Sequence, residues 1–106
     1  MSQKKENISI ENLVYAVLAV DDSDLGLANL ANFKEIIDKE LSAGVKNIAL
    51  DLNGLAAVNS SGLGVLIGIQ NKVKSGGGSL KMINVNKRTL NIFKITQLNS
   101  FFDIAG

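Results

Sequence analysis

Histidine, cysteine, proline and tryptophan are all absent from the 106 residues. Without His and Cys there is no cysteine nucleophile, no Ser-His-Asp triad, no imidazole or thiolate metal site and no disulfide. Carboxylates leave only a hard-metal or two-carboxylate site open. A chain without Cys that begins at Met1 suits a reducing cytosol, so a cytoplasmic location is expected. Long apolar runs are missing too. The longest, Leu13 to Val20, falls far short of the roughly 20 residues of a membrane span, and the polar stretch Met1 to Asn7 does not open a signal peptide.

What is present, 46% hydrophobic and 20% charged residues, fits one globular domain over residues 1–106, with 1–7 expected to be flexible. Net charge is +1, but residues 1–53 carry −4 and residues 54–106 carry +5, with Asp103 the sole acid of the second half. The basic residues form no run of five and no aromatics alternate with them, so nucleic-acid binding is not expected.

Leu13 to Val20 reads as a buried strand stopped by Asp21-Asp22-Ser23-Asp24, with Ile8 and Ile10 in a short edge strand before it. Asn29 is placed to cap a helix whose apolar face is Leu30, Phe33, Ile36, Ile37 and Leu41, ended by Gly44. Asn47 to Leu52 is a second buried strand. A second helix is expected from Ser60 or Ser61 to about Lys74, broken by Gly76-Gly77-Gly78, then a strand over Leu80 to Val85. A third helix follows from Lys87 to about Ile95, and Phe101 to Ile104 form a last short strand. Strands alternating with amphipathic helices indicate an α/β fold with a mostly parallel sheet. Phe33, Leu50, Leu66 and Ile83 are expected in its core.

The informative segment is Asn59-Ser60-Ser61-Gly62-Leu63-Gly64, where a strand end meets a helix start. One serine suffices to cap the helix. A second serine followed by two glycines suits close approach of a partner backbone or a phosphate. The glycine pattern is one residue too long for a dinucleotide fingerprint and lacks the Lys-Ser/Thr of a P-loop, which argues against a nucleotide sensor or small enzyme built on Ser61 and Asp51. On the second helix Leu63, Leu66, Ile67 and Val73 make a core face, while Val65 and Ile69 lie toward another side. Two readings stay open: the helix is deeply buried, or Val65 and Ile69 offer an apolar strip to a partner.

The strand Ile48 to Leu52, the loop Asn59 to Gly64, the Gly76-Gly77 step and the closing Ile95 to Phe102 together resemble the STAS domain of anti-sigma factor antagonists, over about Leu13 to Ile104. The resemblance implies a single STAS-like α/β domain, a mixed mostly parallel sheet with helices packed against it. It also implies a non-enzymatic binding module, without cofactor, metal or catalytic residue, that binds an anti-sigma factor/serine kinase and releases a sigma factor. In that family the serine before the glycine is phosphorylated; carried over, it is Ser61, with Ser60 the second choice, and a phosphatase is expected to reverse the modification. The implied partner surface comprises Asp24, Asn59, Ser60, Ser61, Gly62, Leu63, Gly64, Val65 and Ile69, on a monomer or weak dimer. Two carboxylates common in the family are replaced: Asn59 stands directly before the serines where Asp is usual, and Ser23-Asp24-Leu25-Gly26 replaces Gly-x-Leu-Asp; Asp22 and Asp24 are either exposed turn acids, the favoured reading, or replacements for the lost charge. The alternative is a constitutive STAS subunit of a transporter or other signalling assembly, with the serines as helix caps only.

Overall fold

The structure, a computed structural model, describes residues 3–4, 7–22, 25–26, 29–56 and 58–105. Chain order is β1 (Gln3–Lys4), β2 (Ile8–Ile10), β3 (Leu13–Asp21), α1 (Leu30–Ser42), β4 (Asn47–Gly54), α2 (Ser60–Ser75), β5 (Ser79–Ile83), α3 (Lys87–Ile95) and β6 (Asp103–Ala105). Strands β3, β4, β5 and β6 are neighbours in that order and parallel, with one helix in each crossover. The order matches the alternation of buried strands and amphipathic helices in the sequence. β1 and β2 run antiparallel to β3, so residues 3–4 of the expected flexible N-terminal stretch pair with Ala19 and Leu18.

Side chains alternate across the sheet, and the two faces have different covers. On one face Leu18, Ile48, Leu50 and Met82 meet Phe33 and Ile37 of α1, Leu66 and Val73 of α2 and Phe93 of α3 in a single core. The opposite face gathers Tyr15, Val17 and Ala49 under Ile8, Ile10 and Ile83. The cover is the β2–β3 hairpin, whose turn residues Glu11 and Asn12 both take left-handed φ values of 51° and 70°, as a tight two-residue hairpin requires. Ile83 was expected in the main core with Phe33, Leu50 and Leu66. It is half-buried on the hairpin side instead, because it follows core-facing Met82 by one residue in an alternating strand.

Lys81 lies on that same face and is 4% exposed. The parallel register sets it beside Ala49 and Asp103. Its Nζ donates to Asp103 Oδ2 at 2.5 Å, with Glu11 Oε1 at 3.8 Å from the hairpin turn. The hydrogen bond to Asp103 raises the Lys81 pKa above its ordinary value; burial opposes it, and the nearby negative charges reinforce it.

Two local expectations are corrected. Phe101 and Phe102 form no strand: their N–H groups both donate to the Leu98 carbonyl in a turn, and β6 begins at Asp103. This turn seats Phe102 in the core, its ring centroid 5.0 Å from that of Phe93. At the start of α1 the Asn29 side chain makes no capping bond; instead Asn29 and Leu30 N–H donate to the Gly26 carbonyl. Gly44 does follow α1 as expected, at φ +95°, where a side chain is disfavoured.

Candidate functional site

α1 follows β3 and α2 follows β4, so the starts of both helices stand beyond the C-terminal ends of parallel strands, where α/β sheets place ligand and partner sites. The loop from β4 into α2 is tied from several sides. Asp51 Oδ1 accepts from Asn53 N–H at 3.0 Å, and Leu55 N–H donates to the Leu52 carbonyl at 3.0 Å. The Leu55 carbonyl accepts from Asn86 Nδ2 at 2.6 Å, and Asn86 Oδ1 also accepts from Thr89 N–H to cap α3. Ala56 N–H donates to Asp22 Oδ1 at 3.0 Å, linking this loop to the end of β3. These bonds hold the start of α2 to the sheet and to α3.

Asn59 caps α2. Its backbone is extended, with ψ 177°, and its Oδ1 accepts from Gly62 N–H at 2.7 Å. This corrects the expectation that Ser60 or Ser61 serves as the cap: both are the first residues of the helix, and both are exposed. The replacement of Asp by Asn at 59 keeps the acceptor oxygen the cap needs and removes only the charge.

Gly62 is buried, and a Cβ built on it would stand 2.9 Å from Val58 Cγ2 and 3.3 Å from Leu25 Cδ1. It lets α2 approach these side chains and serves internal packing, so its backbone is not open to a partner. Leu63 is half-buried against the main core. Gly64 is different: it is exposed, and an added Cβ would meet nothing within 4 Å.

Of the two open readings of α2 the exposed strip is excluded, since Val65 is 7% and Ile69 4% exposed. The deeply buried reading of α2 holds: Val65 and Ile69 belong to the same core as Leu66 and Val73, and they also line the side of α2 next to α1. Val65 and Ile69 instead floor a groove of about 480 Å³ between α1 and α2, with Leu30 and Ile37 from α1. Ser61, Gly64 and Gly68 line it from α2, and Lys34 from α1. Lys72 Nζ reaches Asp38 Oδ1 at 2.5 Å and straps the two helices together.

A second hollow of about 310 Å³ is lined by Asp22, Leu25, Gly26, Val58 and Asn59. Asp22 therefore brings a carboxylate to the hollow beside the α2 cap. Asp24, the other acid considered for that role, lies outside the described residues. Among the described residues no three acids gather where they could hold a metal ion, and no helix is long and apolar enough to cross a membrane.

The STAS-domain family model matches residues 7–105. The chain belongs to the STAS family. A curated STAS relative, the anti-sigma-B factor antagonist of Bacillus subtilis, is 37% identical over 60 residues, 57% of this chain and 55% of that protein. The match thus spans about half of that relative's length. Among solved structures, the NMR structure of TM1081 from Thermotoga maritima superposes with a TM-score of 0.76 at 24% identity, covering 93% of this chain and 78% of that one. The anti-sigma factor antagonist SpoIIAA in its unphosphorylated form gives 0.71 at 16% identity, covering 100% and 88%. At these identities the likeness establishes the STAS fold, a mixed α/β domain with a mostly parallel sheet and three helices.

Sequence reasoning missed the groove between the helices and with it Lys34, Asp38 and Lys72, because the pattern of one helix does not say which helix packs beside it. It also missed Asn59 as the cap, although Asn ranks with Ser at that position and precedes both serines.

Proposed function

We propose that this STAS domain is an anti-sigma factor antagonist controlled at Ser61. Unmodified, it docks on an anti-sigma factor that is also a serine kinase, through Ser60, Ser61 and the open backbone at Gly64, and so releases the sigma factor. The kinase then transfers the γ-phosphoryl of ATP to Ser61: the Oγ–P bond forms, the bond from γ-phosphorus to its bridging oxygen breaks, and ADP leaves. The hydroxyl proton passes to a base on the kinase. A phosphatase reverses the modification, and the exchange takes place in the cytoplasm. The antagonist itself catalyses nothing and takes the part of substrate.

The observation that carries this reading is that Asn59 supplies the α2 cap, which leaves two exposed serine hydroxyls in the first turn of the helix with no capping duty. A phosphoryl group adds about −1.5 to −2 charges there. The start of a helix tolerates that charge within the domain, whereas a desolvated partner interface does not. Regulation therefore acts on affinity rather than on folding. Asp22 lines the same hollow as Asn59, which supports reading it as the carboxylate that takes over the charge missing from position 59.

The test is to incubate the protein with ATP and serine kinases encoded near it, and to map the modification by mass spectrometry in the Ser60→Ala and Ser61→Ala chains. Labelling lost only with Ser61→Ala is the expected result. Unchanged labelling and binding in Ser61→Ala would remove the switch. Indifference of binding to Ser61→Glu together with copurification of transporter subunits would favour a constitutive STAS subunit.

A further inference from the structure

The groove between α1 and α2 is lined by two unlike groups. Ser61 lines it from the first turn of α2, and Lys34 lines it from the second turn of α1. The other charged residues lining the groove, Asp38 and Lys72, are already joined to each other at 2.5 Å. Lys34 is exposed and makes no ion pair or hydrogen bond among the described residues. The floor beneath it, Val65 and Ile69 with Leu30 and Ile37, offers an ammonium group no acceptor. A free cation thus shares a small apolar-floored depression with the hydroxyl proposed to become a dianion.

Resting on the reading of Ser61 as the phosphorylated serine, we infer that Lys34 is the receptor for the Ser61 phosphoryl group, drawing it across the mouth of the α1–α2 groove. A lysine stem is long enough to move its charge by a helical turn, and a phosphoserine carries its oxygens out from the α2 backbone toward that stem. Both helices are fixed by the same core, so only side chains need to move. The consequence is that the modified state presents a different surface on α1 as well as on α2. Lys34 becomes neutralised, and the gap above Val65 and Ile69 is bridged. A partner probing this face would then distinguish the two states at two helices rather than at one point.

The experiment installs phosphoserine at position 61 during synthesis, without any kinase, and follows its second ionisation by phosphorus NMR at low salt in the full chain. An ammonium partner favours the dianion, so the phosphoserine of the unsubstituted protein should ionise about half a pH unit lower than that of Lys34→Gln. Lys34→Arg should keep the lower value, the difference should shrink at high salt, and Lys72→Gln should leave it in place. Equal ionisation in the unsubstituted and Lys34→Gln chains would overturn the inference, as would a shift abolished by Lys72→Gln instead. Because no kinase or partner takes part, failure here leaves the switch at Ser61 standing. Failure of kinase labelling at Ser61 would strike the switch without altering this titration.

Discussion

Asn59 Oδ1 accepts a hydrogen bond from the Gly62 backbone N–H at 2.7 Å, and this bond determines what the neighbouring serines are for. Had a serine capped α2, its hydroxyl would be engaged with the backbone. With Asn59 in that place, both serines are exposed in the first turn and neither is needed as the cap.

Removal of the cap should therefore affect stability where removal of the serines does not. Asn59→Ala is expected to lower stability by about 1 kcal/mol, the usual worth of a helix cap. Ser60→Ala and Ser61→Ala should stay within about 0.5 kcal/mol of the parent, as exposed substitutions do. Asn59→Asp should keep the cap and gain a few tenths of a kcal/mol from the helix dipole. Urea denaturation of the four variants provides the comparison. A larger loss from either serine than from Asn59 would reassign the cap.

The glycines of the same segment should also separate. Gly62→Ala forces a methyl to within 2.9 Å of Val58 Cγ2 and 3.3 Å of Leu25 Cδ1, and overpacking of this kind costs about 1–3 kcal/mol. Gly64→Ala and Gly68→Ala place a methyl in open space on a helix and should each raise stability by about 0.5–1 kcal/mol. Thermal unfolding should show opposite signs for position 62 and for the other two.

On the hairpin-covered face, Lys81 and Asp103 make the test one of charge. Asp103→Asn leaves a buried ammonium with Glu11, at 3.8 Å, as its one remaining ion-pair partner among the described residues, and should cost about 2 kcal/mol. Lys81→Met removes the charge together with its need for a partner and should cost less than about 1.5 kcal/mol. The folded-state pKa of Lys81 lies above its unfolded value. Its contribution is therefore complete below the ordinary lysine value of 10.5 and is lost as pH rises through the raised folded value. Denaturation midpoints measured from neutral pH into this alkaline window should fall more steeply for the parent than for Lys81→Met.

How far the fold is legible in the sequence depends on whether a feature is local. Strands β3, β4 and β5 and all three helices follow from apolar runs, periodicity and turn residues, and α3 falls at Lys87–Ile95 as its pattern predicts. Features set by pairing between elements are not legible in this way. The burial of Val65 and Ile69 comes from α1 lying against α2, which no single-helix pattern encodes. Ile83 and Lys81 depend on a hairpin folding over the far side of the sheet. A clue to the lysine was present: it interrupts the apolar run Leu80 to Ile83, and the C-terminal half holds one acid, Asp103, to pair with it. At the site, the residue pattern marked Asn59 to Gly64 as a helix start, and α2 begins at Ser60. That pattern could not say which of three adjacent polar residues, all acceptable caps, closes the helix, and the role given to Ser61 came from the resemblance alone.

The central claim is that a phosphoryl group on Ser61 governs partner affinity without unfolding the domain. The most direct measurement is calorimetric titration of the kinase-type anti-sigma partner, identified by its labelling of Ser61, with the unmodified chain and with the chain carrying phosphoserine at 61. The account predicts about 100-fold weaker binding after modification, the order expected when a dianion is forced into a desolvated interface, with little change in Tm. Equal affinities for the two forms, or weaker binding that merely tracks a fall in Tm, would contradict it.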